Sequence, residues 1–168
     1  MGPDLPALEV TPKQGEESFS QSGSPLSTSV RDFWRWSSSD LMSNATRGIL
    51  AEYIVACDLG VATGVRAEWD AFDLTTRSGI KVEVKSSAYL QTWYQRTYSA
   101  INFSIAPSLA WDPQTAEYAT EKKRQGDVYV FCLLHHKDQA SVDPLDMDQW
   151  TFYVLATRVL DIEMPKQQ

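Results

Sequence analysis

The stretch Gly79–Ser87, which reads GIKVEVKSS, alternates polar and apolar residues with a period of two. This period predicts a half-buried strand, because successive side chains of a strand point to opposite faces. The aliphatic residues at positions 80, 82 and 84 are expected to share the buried face. Lys81, Glu83 and Lys85 then share the other face, so the strand carries a carboxylate and an ammonium group side by side.

Asp73 precedes this strand and is separated from it by a turn-like segment, TTRSG at positions 75–79. A hairpin across the turn would return Asp73 to the side of Glu83. Carboxylates are the hard oxygen ligands that Mg²⁺ prefers, so the hairpin predicts half of a metal site. Asp70 is the alternative partner of Glu83, because residues three apart in an unbroken strand face opposite sides. Asp73 lies nearer the turn and is therefore the favoured partner, which leaves Asp70 as a neighbour of the site.

The segment from about Leu41 to Leu59 predicts a helix that ends at Gly60. The stripe expected to face the core consists of Ile49, Leu50, Tyr53, Ile54 and Cys57. Glu52 lies in a second apolar stripe, where a carboxylate is costly unless its charge is compensated. Two interpretations stay open: an ion pair with Arg47 or another arginine, or a metal or ordered water shared with the hairpin.

The remaining pattern predicts an α/β fold, at the border with α+β, in which helices flank a central mixed sheet. The other predicted strands are Val65–Leu74, Ser99–Ile105, Asp127–Leu134 and Trp150–Leu155, and the other predicted helices are Pro113–Arg124 and Thr157–Ile162. Asp127–Leu134 is almost continuously apolar, which is typical of a strand buried on both faces. Asp127 itself is expected to open that strand, and the two histidines at 135 and 136 to end it rather than bind zinc.

A length of 168 residues suits one domain. Residues 1–30 are rich in Ser, Pro, Gly, Gln and Glu and are expected to form a disordered tail, which leaves residues 31–168 as a single domain. No apolar run is long enough to span a membrane. Cys57 and Cys132 lie in apolar stretches, so both are expected to be buried thiols, which fits a reducing cytoplasm.

The formal net charge of −7 argues against nucleic-acid binding by bulk electrostatics. A local basic surface is still possible. The candidate residues, which could equally form an ordinary solvated face, are Arg96, Lys122, Lys123 and Arg124. The aromatic segment at positions 89–98 has two interpretations as well. It predicts either a base-stacking arm or a hydrophobic cluster that packs on the sheet or on a second copy.

The order Glu52, Asp73 and Glu83-Val84-Lys85 resembles the PD-(D/E)XK nuclease superfamily over roughly residues 45–135. The first motif reads Phe72-Asp73 where the family has Pro-Asp, and the second is intact. The resemblance implies a restriction-endonuclease-like core, in which the aspartate and the Glu-x-Lys triplet lie on adjacent strands. It also implies a hydrolase that cleaves phosphodiester bonds of DNA by a metal-activated water.

In that family the acids and a backbone carbonyl bind the metal. The resemblance therefore implies that Asp73, Glu83, Glu52 and the carbonyl of Val84 bind Mg²⁺, with Mn²⁺ as a substitute, and that Lys85 orients or activates the water. Some members place a glutamine or hydroxyl residue just beyond the lysine. On that basis Ser87 and Gln91, with Arg96 further along, are the candidate substrate contacts.

Two other classes of protein compete with a catalytic nuclease. One is a non-catalytic member that keeps the fold as a nucleic-acid-binding or assembly module, with a protein partner or a second copy of itself. The other is a small α/β domain with a surface Glu-x-Lys strand. The complete set of Asp73, Glu83 and Lys85 argues against the first, and the apolar setting of Glu52 argues against the second. The sequence does not distinguish DNA from RNA as the substrate.

Overall fold

The computed structural model of the chain describes residues 5–6, 8–68, 70–112 and 115–165. Its elements in chain order are β1 (Ser18–Gln21), β2 (Ser24–Ser29), α1 (Val30–Ser38), α2 (Asn44–Asp58), β3 (Leu74–Thr75), β4 (Lys81–Ala88), β5 (Trp111–Asp112), β6 (Glu117–Tyr118), β7 (Val128–Leu134), β8 (Trp150–Ala156) and α3 (Thr157–Glu163), with a 3-10 turn at Met147–Gln149. None of the helices in these ranges is long and apolar enough to cross a bilayer.

A four-stranded sheet in the order β3-β4-β7-β8 forms the centre of the molecule. β4 and β7 run parallel, in a register that pairs Val82 with Val128 and Ala88 with Leu134. β3 pairs with β4 and β8 pairs with β7, both antiparallel. The sheet is therefore mixed, and together with the three helices it confirms the predicted fold class.

The main core lies between α2 and one face of this sheet. Val82 and Val84 point into it from β4, as their alternation predicts, and they meet Ala51 and Val55 of α2. The matching positions of β7, Val130, Cys132 and Leu134, extend this core along the sheet. Glu83 and Lys85 consequently point to the opposite face.

That opposite face carries a second, smaller core. It consists of Ile105, Tyr129, Phe131 and Leu160, with Phe103 packed against it. Phe103 and Ile105 belong to the predicted strand Ser99–Ile105, and this prediction is wrong, because no strand forms over those residues. Their alternation instead puts these two side chains against the second core on this face of the sheet.

Three further expectations differ from the structure. Of the strand predicted over Val65–Leu74, only Leu74 lies in a strand among the described residues, as the first residue of β3. The helix predicted over Pro113–Arg124 is wrong: β5 and β6 pair as a short antiparallel ladder, in which the rings of Trp111 and Tyr118 lie 4.7 Å apart. Positions 113 and 114 lie outside the described residues.

The stripe of α2 that was expected to face the core is confirmed in part. Leu50 and Ile54 pack against the main core, whereas Ile49 and Tyr53 are 47% and 61% exposed. The buried residues of the helix are Arg47, Ala51, Val55 and Ala56, so the core face is rotated toward the stripe that contains Glu52. Of the two cysteines, Cys132 is buried as expected and Cys57 is exposed.

The N-terminal part departs from the expected tail. Within residues 1–30, β1 and β2 form an antiparallel hairpin that leads directly into α1. Ser29 and Asp32 cap the start of α1 reciprocally, each side chain meeting the other's backbone N–H. No residue of α1 is buried. The hairpin differs from the expected disorder, and the division into a tail and one domain stays a prediction.

Candidate active site

The hairpin between β3 and β4 brings Asp73 to the edge of β4. The Asp73 N–H donates to the carbonyl of Val82 at 3.1 Å, and its carboxylate Oδ2 accepts the N–H of Val84 at 2.6 Å. Leu74 pairs with Val82, so one step of register puts Asp73 opposite Glu83. Asp70 is exposed, and among the described residues no hydrogen bond or ion pair joins it to β4.

Glu83 and Lys85 form an ion pair along β4. Lys85 Nζ donates to Glu83 Oε1 at 2.6 Å, with the two side chains 31% and 16% exposed. They share a face because residues two apart in a strand point the same way. The pair therefore holds a cation and a carboxylate together at the mouth of the site.

The electrostatics of Asp73 reflect this crowding. The pKa of Asp73 is raised to about 6, chiefly by burial and also by the carboxylates of Glu83 and Glu52. The Val84 N–H and the ammonium of Lys85 act in the opposite direction without cancelling the rise. Three acids thus lie close enough to repel one another, which is the environment that a bound cation would stabilise.

Glu52 makes an ion pair with an arginine, but with Arg66 rather than Arg47. Both oxygens are engaged: Arg66 Nη2 donates to Oε1 at 2.9 Å, and Arg66 Nε donates to Oε2. This hydrogen bond raises the pKa of Arg66, against the lowering effect of its partial burial. Of the two interpretations of Glu52, the structure therefore contains the ion pair.

Arg47 has a separate role at the start of α2. It is 3% exposed and donates to Asn44 Oδ1 at 2.6 Å, Met42 O at 2.7 Å, and Ser86 Oγ and Gln91 Oε1 at 3.3 Å. Burial lowers the pKa of Arg47. Its bonds to Ser86 and Gln91 fasten the end of β4 to α2.

The three candidate substrate contacts lie in different environments. Ser87 is buried, 8% exposed, and so faces protein. Gln91 is half-buried and is held by Arg47, by the Ala88 carbonyl at 3.2 Å and by Ser99 Oγ at 3.3 Å. Of the three, only Arg96 is exposed to solvent.

Two cavities adjoin the acids of the site. One of about 280 Å³ is lined by Glu83, Lys85 and Tyr129. The other, of about 330 Å³, is lined by Asp73, Glu52 and Arg66 and by apolar residues of α2. The acids are therefore reachable from two directions.

Sequence reasoning missed Tyr129, Arg66 and Gly126. Tyr129 is 3% exposed, and burial together with the charge of Glu83 raises its pKa to about 12, which keeps the phenol protonated. Gly126 leaves room for Glu83, since an added Cβ would lie 3.1 Å from both its N and its Cβ. Of these three residues, only Tyr129 could have been singled out from the sequence, because its polar hydroxyl lies in a strand that is otherwise apolar.

Other polar residues of interest have structural partners. Asp127 opens β7 as expected, with its Oδ2 accepting the Lys81 N–H at 2.9 Å. His135 contacts Thr151 and His136 contacts Ser141. Arg124 is 7% exposed and pairs with Asp161 at 2.6 Å, so it does not belong to a basic surface.

The residues present fit a magnesium ion in part. Asp73 and Glu83 are oxygen donors on adjacent strands, and Mg²⁺ commonly takes one or two carboxylates and keeps several waters. The N–H and C=O of one strand residue point to the same neighbour, so the Val84 carbonyl faces the edge where Asp73 lies. Within the described ranges no set of three or more His, Cys, Asp or Glu side chains is arranged to hold a metal. Glu52 is accordingly paired with Arg66.

Comparison with known proteins provides evidence that is independent of the geometry of the site. The sequence model of the family described as bacteriophage T4 endonuclease IV matches residues 28–166, which is most of the chain and includes every candidate residue above. Neither a curated protein nor a solved structure matched. The family match supports a nuclease; the narrower resemblance to the PD-(D/E)XK superfamily stays a prediction. The chain belongs to the bacteriophage T4 endonuclease IV family.

Proposed function

We propose that the protein is a magnesium-dependent endonuclease that hydrolyses phosphodiester bonds of DNA with water as the nucleophile. The observation that carries the proposal is the meeting of Asp73, Glu83 and Lys85 at one edge of β4, across a two-residue ladder. Membership in a nuclease family supports the same reaction class. The site opens into a cavity, so a phosphate group has access to it.

In this proposal Asp73, Glu83 and the carbonyl of Val84 hold the metal. An ion held there would polarise the scissile phosphate and would lower the pKa of a bound water. The raised pKa of Asp73 fits this role, because a carboxylate among other acids gains most from a cation. Mn²⁺ offers the same preference for oxygen ligands and is expected to substitute.

Lys85 is proposed to orient the attacking water and to offset the negative charge that builds on phosphorus. Its ammonium group is held by Glu83 on the side of the cavity, so its position is fixed before substrate arrives. Such a preformed cation stabilises the transition state without reorganisation. Tyr129, protonated and buried behind Glu83, is proposed to fix the direction of that carboxylate.

Glu52 is proposed to act together with Arg66. The pair holds a guanidinium group beside Asp73, where it is placed to meet a substrate phosphate. Glu52 becomes a second metal ligand only if it leaves Arg66. We therefore expect Glu52→Gln to lower the cleavage rate less than Glu83→Gln does.

The test is a cleavage assay on single-stranded, duplex and branched DNA, and on RNA, with Mg²⁺, Mn²⁺ or EDTA. Wild type is expected to cut DNA with either metal and to lose activity in EDTA. Lys85→Met and Glu83→Gln are expected to lower the rate at least about a hundredfold, in the range that single catalytic groups contribute. Lys81→Met, on the same face of the same strand but exposed, is the matched control and should retain activity.

A non-catalytic module is the second candidate, and the ion pairs favour it. Lys85 with Glu83 and Arg66 with Glu52 already satisfy two of the acids without a metal. This candidate predicts DNA binding without cleavage under any metal condition. Cleavage that survives Lys85→Met would contradict the proposed mechanism instead.

A further inference from the structure

The segment between β4 and residue 100 exposes aromatic rings instead of burying them. Trp93, Tyr94 and Tyr98 are 53%, 87% and 54% exposed. None of them belongs to either hydrophobic core of the described residues. The segment forms no helix or strand, and we call residues 89–99 the aromatic arm. Burial in a hydrophobic cluster therefore does not explain its composition.

The aromatic arm is held rigidly from within. Gln95 Oε1 accepts the N–H of Gln91 at 2.7 Å, while its Nε2 donates to Tyr89 O at 3.1 Å and Ser99 Oγ at 3.0 Å. The Ser99 N–H closes the loop by donating to the same Tyr89 carbonyl at 3.0 Å. Gln91 in turn is fixed by Arg47. Rings displayed on a fixed loop lose little conformational entropy when a ligand stacks on them.

Positive charge accompanies the rings. Lys137 Nζ lies 4.2 Å from the ring centre of Tyr89 and 5.5 Å from that of Tyr98, and its carbonyl accepts the Tyr98 hydroxyl at 3.1 Å. Arg96 is exposed and forms no ion pair within the described part of the chain. In a chain of net charge −7, two cations beside exposed rings are a local exception.

A cavity of about 520 Å³ lies between Arg96, Tyr98 and Lys137. Arg96 and Tyr98 line one wall, and Lys137 and Asp138 line the other. Asp138 is turned to its own loop, where its carboxylate accepts the Ser141 hydroxyl at 2.6 Å. The volume is in the range of pockets that hold small organic groups, about 300 to 1,000 Å³. Aromatic faces with guanidinium and ammonium groups suit a planar base and its phosphate.

The location ties this cavity to the proposed cleavage site. The aromatic arm begins directly after Ala88, the last residue of β4, which is three residues beyond Lys85. At a strand rise of about 3.3 Å per residue, the end of β4 lies about 10 Å along the strand from the lysine, the span of roughly three stacked nucleotides. A nucleic-acid strand bound beside Lys85 and followed toward the end of β4 would reach the start of the arm within that span.

We propose that the aromatic arm and the cavity beside Lys137 form a subsite for an unstacked nucleobase a few nucleotides from the scissile phosphate. Trp93 and Tyr94 supply the stacking surfaces, Tyr98 with Lys137 the pocket, and Arg96 the phosphate contact. This inference rests on the proposed DNA nuclease function and adds the residues that position its substrate. Stacking accepts every base, so the subsite sets position rather than sequence.

The test measures binding without cleavage, in the Lys85→Met background, with fluorescein-labelled oligonucleotides and anisotropy. Trp93→Ala and Tyr94→Ala are each expected to raise the dissociation constant at least about fivefold, the lower end for loss of a stacking side chain. Arg96→Ala is expected to lower the slope of log affinity against log salt by about one. Trp36→Ala, which removes an 86% exposed ring from α1, is the matched control and should change neither quantity.

Abasic substitution separates stacking from a loss of structure. An oligonucleotide that lacks one base is expected to bind more weakly at a single position, and Tyr94→Ala should then cost nothing further at that position. Unchanged affinity in both ring variants, or equal sensitivity to an abasic site everywhere, overturns the subsite. Cleavage by wild type together with these unchanged affinities would overturn the subsite alone. Binding that shows the subsite without any cleavage would overturn the nuclease function alone.

Discussion

Asp73 is a residue whose charge opposes folding. Burial and two neighbouring acids raise its pKa to about 6, from 3.8 in an exposed chain. The unfolded chain therefore releases this proton at lower pH than the folded protein does. In the metal-free protein, ionised Asp73 lowers the free energy of unfolding by about 3 kcal/mol at neutral pH, since each pKa unit corresponds to ~1.4 kcal/mol.

This linkage predicts the sign of a pH dependence. Below about pH 4 the carboxyl is protonated in both states and contributes nothing; between about pH 4 and 6 the folded state alone retains the proton, so stability falls as pH rises. Asp73→Asn is expected to gain stability over wild type progressively across that window and by a constant amount above it. Urea unfolding at pH 4, 5, 6 and 7 without divalent metal measures the difference.

Magnesium provides the control for that comparison. If Asp73 binds the metal, millimolar Mg²⁺ at pH 7 should raise the stability of wild type and leave Asp73→Asn nearly unchanged, because only a native carboxylate binds the ion. A difference between the two proteins that does not change with pH would contradict the raised pKa.

Gly126 is predicted to set the position of Glu83. A methyl group there would lie 3.1 Å from the Glu83 N and Cβ and 3.3 Å from the Val128 carbonyl, closer than ordinary contact. We expect Gly126→Ala to shift Glu83, to lower the cleavage rate at least about tenfold and to cost about 1 to 3 kcal/mol of stability. Initial rates and urea unfolding measure the two effects.

Gly48→Ala is the matched control for Gly126→Ala. Gly48 lies inside α2, and no atom lies within 4 Å of the methyl group that alanine would add. Alanine is the better helix former by about 1 kcal/mol, so this variant is expected to be more stable and fully active. Equal rates for the two variants would show that the space beside Glu83 is not needed.

At the scale of elements, long patterned runs were predicted well. β4 and β7 begin within two residues of the predicted starts, because alternation and a continuous apolar run each have one simple structural cause. The strand predicted at Ser99–Ile105 failed because alternation reports that one face is buried and does not report pairing. Which strand pairs with which depends on tertiary contacts.

The arrangement of the candidate site was likewise predictable only where it depends on local structure. Asp73, Glu83 and Lys85 come together because a short hairpin is a local structure. Arg66 lies in the irregular segment between α2 and β3, which has no periodic pattern, so its pairing with Glu52 had no sequence signal beyond charge. Tyr129 reaches Glu83 only through parallel pairing with a distant strand, which sequence spacing does not specify.

The start of α2 gives a test at this scale. Its N-cap is Ser43, whose Oγ accepts the Thr46 N–H at 3.3 Å. We expect Ser43→Ala to cost about 1 kcal/mol of stability, the usual effect of losing a cap. Urea unfolding checks this, with Ser38→Ala, at the exposed end of α1, as a control within about 0.5 kcal/mol of wild type.

Over the whole molecule, stability is expected to be uneven. β7 is paired on both sides, and six of its seven residues are buried. The hairpin of β1 and β2 and the following α1 contain no buried residue. Among the helices and strands, hydrogen exchange is therefore predicted to be slowest in β7 and much faster in the hairpin of β1 and β2 and in α1, by several orders of magnitude. Comparable protection of the two regions would mean that α1 packs on a partner in solution.

The parallel pairing of β4 and β7 also dictates an order of events during synthesis. β3 and β4 emerge together, yet β4 gains its second neighbour only when residues 128–134 have left the ribosome. Closing the intervening segment, from residue 89 to residue 127, carries an entropic cost that only the completed sheet offsets. Until then Glu83 and Lys85 lack Tyr129 behind them and the cavity in front. We infer that a nascent chain carries the acids of the site before the site is assembled, so the proposed cleavage would begin only after β7 has left the ribosome.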